Sequence, residues 1–92
     1  MHAVVARVNI GDIETAEQGL REQVVPRVSQ APGFVAGYWT RSDDGSNGLS
    51  MLVFDSEESA RGAAEMIQGP EAMRPEGVTL ESVEVREVLA NA

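Results

Sequence analysis

The hydrophobic pattern of this chain changes between a two-residue and a three-to-four-residue repeat, and this change restricts the folds that the chain can adopt. In residues 2–10 every even position from Val4 onward is apolar, whereas the odd positions include Arg7 and Asn9. A two-residue repeat rich in β-branched residues predicts a strand with one apolar face and one mixed face.

A helix is predicted after the break at Gly11. Asp12 is a suitable N-cap, and Glu14 suits the positive end of the helix dipole. Pro26 lacks a backbone N–H and clashes with the preceding turn, so a kink or an early stop is expected between residues 24 and 28. The apolar stripe of this helix, spaced by three and four residues, consists of Ile13, Ala16, Leu20, Val24 and Val28.

A hairpin is predicted in the middle of the chain. Residues 31–33 read Ala-Pro-Gly, a turn signal, and residues 34–41 are rich in aromatic and β-branched side chains. A polar loop, residues 42–48, separates them from a second apolar run, residues 49–54. Two such runs joined by a short glycine-containing loop are expected to pair as antiparallel strands.

A second helix and a last strand complete the predicted elements. Ser56 is the expected N-cap of the helix, and Gly69-Pro70 is expected to end it. Residues 70–77 are predicted to be a loop or one short helical turn, and residues 78–88 a strand. The buried stripe of the helix is predicted to be Ala60, Ala63, Ala64 and Ile67, with Met66 at its margin.

The resulting order, β-α-β-β-α-β, predicts a single α+β domain over residues 1–92 with ferredoxin-like topology. Two right-handed crossovers place both helices on the same face of a four-stranded antiparallel sheet. The opposite face is then uncovered within one chain. Apolar residues nevertheless occur on both parities of the hairpin strands, for example Tyr38 and Trp39. A large apolar patch of this kind predicts a cover, and the simplest one is the sheet of a second copy.

Composition removes the other ways of stabilising a small core. The chain has 92 residues, no cysteine and one histidine, His2. Disulfides and a tetrahedral zinc site of nitrogen and sulfur ligands are therefore not expected. Oligomerisation remains, so a homodimer is predicted.

The net charge of −8 argues against two classes of partner. An acidic surface repels phosphate backbones and anionic membrane surfaces, so neither nucleic acid nor membrane is an expected partner. No apolar run approaches the roughly 20 residues that span a bilayer. The N-terminal segment alternates like a strand and does not resemble a signal peptide, so a cytoplasmic protein is expected.

Three segments carry a resemblance to a known family. They are the opening strand Met-His-Ala-Val-Val-Ala-Arg-Val (1–8), the turn and strand Ala-Pro-Gly-Phe-Val (31–35), and the helix start Phe-Asp-Ser-Glu-Glu-Ser-Ala (54–60). With the element order, they resemble the dimeric α+β barrel superfamily, and within it the antibiotic-biosynthesis-monooxygenase-like domains. That resemblance implies a barrel formed by two sheets and a small-ligand cavity in each protomer.

The same resemblance bears on chemistry. Members that need no cofactor, or that degrade haem, place an asparagine on the first strand, and Asn9 matches that position. In the haem-degrading members the resemblance also implies a histidine after the first strand and a tryptophan in the second half of the chain. Haem degradation is not expected here, because no histidine follows His2 and the one tryptophan, Trp39, lies on the second strand. The resemblance thus implies an oxygenase without a cofactor or metal, acting on a small aromatic molecule.

The candidate site residues each have a second interpretation. Asn9 is the catalytic candidate, because a carboxamide can hydrogen-bond a substrate carbonyl, but a strand-end asparagine often binds turn backbone. Arg7 is a candidate for a carboxylate ligand or for an ordinary salt bridge. Tyr38 and Trp39 are candidates for a substrate-binding wall, or for core or dimer-interface residues. Arg41, beside the hairpin loop, is expected to be solvated.

Three functions stay open at the level of the sequence. One is the oxygenase on a small aromatic molecule, and the second is a non-catalytic small-molecule-binding or stress-related module. The third is a structural or interaction protein whose core is filled by its own side chains. A serine-histidine-aspartate triad is poorly supported, because only one histidine exists to serve any serine.

Overall fold

The computed structural model of the chain describes residues 1–68 and 78–92. The strands pair in the order β2-β3-β1-β4, and every pairing is antiparallel. This is the predicted ferredoxin-like arrangement. The elements are β1 (His2–Ile10), α1 (Ile13–Gly19), a π-helical segment (Leu20–Val24), α2 (Val25–Val28), β2 (Phe34–Arg41), β3 (Asn47–Phe54), α3 (Glu57–Gln68) and β4 (Val78–Glu87).

The first helical region begins as predicted but becomes irregular earlier than predicted. Asp12 caps α1, and its Oδ1 accepts hydrogen bonds from the backbone N–H of Glu14 at 3.1 Å and of Thr15 at 3.3 Å. The π-helical segment follows, and at its end the Val25 N–H donates to the Leu20 carbonyl five residues back. Pro26 has no N–H for a regular bond, so the wider turn before it avoids the proline clash.

The core lies between the sheet and the helices. Val4 and Phe54 are fully buried, and the ring of Phe34 meets that of Phe54 edge to face, with centroids 5.9 Å apart and planes at 76°. The alanines of α3 let this helix lie close to the sheet, as the sequence predicts. The buried cluster consists of Val4, Leu52, Phe54, Ala60 and Ala64.

The turn before β2 requires glycine. Gly33 has a φ of 77°, and its carbonyl accepts a 2.8 Å hydrogen bond from the Asp55 N–H. A Cβ at this position would lie 2.5 Å from Asp55 Oδ1 and 2.6 Å from Ser59 Oγ. The turn therefore ties the start of β2 to the start of α3 by a contact that only glycine allows.

The two faces of the sheet differ as the alternation in β1 predicts. One face packs against the helices through Val4, Ala6 and the residues aligned with them. The other, here named the open face, carries the odd-numbered residues of β1 and the aligned pair Tyr38 and Met51, which are 63% and 42% exposed. No element among residues 1–68 and 78–92 covers the open face.

The remaining boundaries differ slightly from prediction. β3 begins at Asn47, two residues early, because the Ser42 N–H bonds the Asn47 carbonyl and extends the hairpin pairing. β4 ends at Glu87. Ser56 caps α3 by accepting from the Ser59 N–H.

The prediction for residues 70–77 lies outside the described residues. No helix in the described ranges is long and apolar enough to cross a membrane.

Candidate functional site

An apolar cavity lies between the sheet and the helical layer. Its volume is about 630 Å³. The even-numbered residues of β1 supply its floor, the first helical region supplies one wall, and α3 contributes to the other. Its apolar lining in the described residues includes Ala6, Val8, Ile10, Ile13, Leu20, Val24, Val28, Leu52, Ala63, Ile67 and Leu80.

The π-helical segment contributes directly to this wall. Leu20, Arg21 and Val24, all within the segment, line the cavity. A π-helical turn changes the angular spacing of side chains relative to an α-helix. The irregularity that Pro26 imposes therefore determines which side chains of this helical region face the cavity.

Trp39 is the one large aromatic side chain from the predicted site that lines the cavity. Its indole lies over Gly37, two residues earlier on the same face of β2. A Cβ on Gly37 would lie 2.9 Å from Cη2 of Trp39 and 3.2 Å from Cδ2 of Leu52. Gly37 thus provides the space in which the indole rests against the sheet.

Charged groups in the lining are mostly arginines. Within the described part of the chain they are Arg21, Arg27, Arg41 and a single acid, Glu17. Arg21 Nη2 donates to Glu17 Oε1 at 2.9 Å, an exposed pair of modest strength. Among the described residues no carboxylate forms an ion pair with Arg41. The described lining therefore combines an apolar interior with three arginines and one acid, although the whole chain is acidic.

The other predicted site residues lie on the open face. Arg7 borders a groove of about 240 Å³ there, together with Glu84 and Arg86. Asn9 is exposed and has the parity of Arg7, and Tyr38 is 63% exposed. A single protomer consequently does not bring Asn9, Arg7 or Tyr38 together with Trp39. The catalytic role of Asn9 and the substrate-binding roles of the other three stay predictions.

His2 lies outside the cavity lining. Its Nε2 is 3.3 Å from Glu57 Oε2, and its side chain is 20% exposed. Its Nδ1 is buried without a hydrogen-bond partner in the described part of the protein. No group of three or more histidine, cysteine or acidic side chains within residues 1–68 and 78–92 is placed to hold a metal ion.

The hairpin loop holds the one strongly shifted carboxyl among the described residues. Asp44 Oδ1 accepts from Ser42 Oγ and Ser46 Oγ, both at 2.7 Å, and from the Ser46 N–H at 2.9 Å. These hydrogen bonds favour the carboxylate and lower the pKa of Asp44 from 3.8 to about 2. The side chain is fully exposed and organises the turn, so it belongs to the loop and not to the cavity.

Two features of the cavity were missed at the level of the sequence. Gly37 looked like an ordinary strand residue, although a glycine two positions before a tryptophan on a strand can accommodate its ring. Arg41 has the same parity as Trp39, which is the signal that both lie on one face. The parity alone does not say which face the helices cover.

Comparison with known proteins identifies the fold. A dimeric ferredoxin-like protein from an uncultured marine organism matches with a TM-score of 0.63 and 13% identity, over 100% of this chain and 98% of that one. A monooxygenase from the gene ActVA-Orf6 of Streptomyces coelicolor, solved in complex with the ligand Nanaomycin D, matches with a TM-score of 0.59 and 14% identity, over 99% and 92%.

No protein-family model matches the chain, and no curated protein matches it. The structural matches establish the fold alone: this chain has the ferredoxin-like α+β fold that it shares with the marine protein and with the Streptomyces coelicolor monooxygenase. The ferredoxin-like fold that the resemblance of the three segments implies is confirmed. At 13–14% identity the likeness concerns the fold and carries no activity with it.

Proposed function

We propose that this protein is a homodimer that binds one small apolar or aromatic molecule in the cavity of each protomer. The observation that carries the proposal is the cavity itself. Its volume of about 630 Å³ lies within the roughly 300–1,000 Å³ typical of small-molecule pockets. A predominantly apolar lining with an indole wall suits the ring system of a planar ligand.

The cavity argues against a structural or interaction protein with a filled core, the third function that the sequence left open. Protein interiors are packed closely, with few voids larger than a water molecule. A structural protein would gain stability by filling such a space with larger side chains, because an unfilled cavity costs packing energy. Alanines at Ala6, Ala16 and Ala63 instead leave it open.

The open face supports the homodimer. Tyr38 and Met51 are exposed there beside Val5, on a four-stranded sheet that lacks a cover within the described residues. The marine ferredoxin-like protein with the same fold is dimeric. A second copy placed sheet to sheet would remove this apolar surface from water.

The molecular mass from light scattering, measured at several dilutions and ionic strengths, tests the dimer. We expect a mass of two protomers for the unaltered chain and of one for Met51→Lys, since a buried lysine on the open face opposes the pairing. Met66→Lys is the matched control, because Met66 is 60% exposed on α3, on the other side of the sheet. A monomeric unaltered protein would contradict the proposal.

Calorimetric titration tests ligand binding. We expect at least one of three probes of equal ring size (2-naphthol, 2-naphthamide and 2-naphthoate) to bind with one site per protomer. Ala63→Leu places three extra carbons in the cavity and should weaken that binding at least tenfold. Glu65→Leu, an exposed position on the same helix, should leave it unchanged. Failure of all three probes to bind would contradict the proposed function.

A second candidate function is a cofactor-independent oxygenase that acts on an electron-rich aromatic molecule. It is favoured by the fold shared with the Streptomyces coelicolor monooxygenase and by the sequence resemblance, which implies a first-strand asparagine at Asn9. Because Asn9 and Trp39 occupy opposite faces of the sheet, each would serve a different binding site.

Oxygen consumption with naphthalene-1,4-diol distinguishes these sites. Loss of protein-dependent consumption in Trp39→Leu, with Asn9→Ala unaffected, would assign the reaction to the cavity. Loss in Asn9→Ala alone would assign it to the open face and its dimer interface. If the unaltered protein consumes oxygen no faster than the protein-free solution, the oxygenase is rejected and the binding function is unaffected.

A further inference from the structure

We infer that the ligand of the cavity carries an anionic group, and that Arg41 holds this group while the aromatic part rests on Trp39. The inference rests on the proposed binding function and names the chemical class of its ligand. Its basis is the distribution of charge around the cavity and the placement of Arg41 and Trp39 on one strand face.

The formal charge of the described cavity lining is opposite in sign to that of the chain. All seven basic residues of the sequence are arginines, and they are outnumbered by fifteen acids. In the described lining this balance is inverted: three arginines stand against one acid, Glu17, which is already bonded to Arg21. An acidic protein repels anions over most of its surface, so a local excess of guanidinium groups marks the place where an anion is preferred.

Arg41 is the best placed of these cations. Arg41 and Trp39 are two residues apart on β2 and both line the cavity. Two residues of a strand span about 7 Å, so one bicyclic aromatic molecule can contact the indole and reach the guanidinium. Arg41 has no ion pair with a described carboxylate. Two parallel N–H groups of its guanidinium can therefore donate to a ligand.

The physical environment suits a carboxylate or a similarly planar oxyanion. Arginine presents a planar fork of donors that matches two carboxylate oxygens, and charge-assisted hydrogen bonds are about twice as strong as neutral ones. Arg41 is exposed at the end of its strand, so the anionic end of a ligand stays near water while its rings enter the apolar space. That orientation avoids the cost of burying a charge.

Two probes that differ only in charge test the inference. At pH 7 the carboxyl of 2-naphthoate is ionised, whereas 2-naphthamide is neutral and nearly identical in shape. We expect naphthoate to bind the unaltered protein about tenfold more tightly than the amide, which corresponds to about 1.4 kcal/mol. In Arg41→Gln this ratio should fall to about one, with the affinity for the amide retained.

Arg61→Gln is the matched control. Arg61 is an exposed arginine on α3 that pairs with Glu57 and does not line the cavity, so this variant should keep the tenfold ratio. Circular dichroism checks that both variants are folded. The Arg41→Gln variant is also compared with Arg27→Gln, which alters a second arginine of the lining.

The outcomes separate the two proposals. Equal affinities of the two probes in the unaltered protein, or a ratio that Arg41→Gln leaves unchanged, overturns the inference while the binding function stands. A ratio that falls in Arg27→Gln but not in Arg41→Gln overturns the assignment to Arg41. Absence of binding by every naphthalene probe overturns the binding function and the inference together.

Discussion

The contact between Gly37 and Trp39 leads to a prediction that depends on the tertiary structure. In Gly37→Ala the new methyl group would lie 2.9 Å from Cη2 and 3.1 Å from Cζ3 of the indole. Both distances are shorter than ordinary carbon contacts of about 3.5–4.0 Å. The indole must then move away from the sheet, towards the cavity, or the strand must shift.

The net change in stability is the difference of two effects. Overpacking of this kind costs typically about 1–3 kcal/mol. Replacing a strand glycine by alanine returns about 0.5–1 kcal/mol of backbone entropy. We therefore expect Gly37→Ala to lower the free energy of unfolding by about 1 kcal/mol, equivalent to a fall of roughly 4–8 °C in Tm for a domain of this size.

Thermal and urea unfolding followed by Trp39 fluorescence measure this effect, since the chain contains one tryptophan. Displacement of the ring should also change the emission of the folded protein. Gly62→Ala is the matched control: its Cβ would meet nothing within 4 Å on the exposed face of α3, and it should raise stability by up to about 1 kcal/mol. A Gly37→Ala protein with unchanged Tm and unchanged emission would refute the proposed packing of the indole.

Three further predictions concern the core, the first helix and the hairpin loop. Phe54→Ala should cost about 3–5 kcal/mol in urea unfolding, because a fully buried ring is lost; a loss below about 1 kcal/mol would contradict the burial. Asp12→Ala should cost about 1 kcal/mol in thermal unfolding, since the cap of α1 is removed, and equal Tm values would reject that cap. The pKa of Asp44 lies at about 2 in the folded chain against 3.8 ordinarily, so its hydrogen bonds stabilise the fold above about pH 3.8, and that contribution is lost as the pH falls towards 2. Ser42→Ala should raise this pKa in an NMR titration of the side-chain carboxyl, and an unchanged value would show that the serine is not a partner.

Much of the fold could be predicted because it depends on local patterns. Period-two alternation predicted β1 at residues 2–10, and a run rich in aromatic and β-branched residues after a turn signal predicted β2 at residues 34–41, with the boundaries that the structure shows. Asp12 and Ser56 were identified as caps, because side-chain capping is a property of neighbouring residues. The irregularity near Pro26 was expected, but its position was not, since the choice between a kink and a π-helical turn depends on how the whole helix packs.

The candidate site was predicted less completely, because a site is formed by residues that are distant along the chain. Tyr38 and Trp39 are adjacent and look equivalent as aromatic candidates, yet one is exposed on the open face and the other lines the cavity. Asn9, the catalytic candidate, has the parity of the open face. No periodicity can show where the helices leave space for a ligand.

The sequence by itself determined the order of the elements and the alternation along β1, since each follows from residues close together, and its composition determined the acidic charge of the chain. It also determined that Trp39 and Arg41 share a strand face. Only the tertiary structure decided that this face carries the cavity, that Gly37 receives the indole, and that arginines from the helical region and β2 border the same space. These features depend on which sheet face the helices cover and on the turn adopted before Pro26, and both are set by packing between elements and not within them.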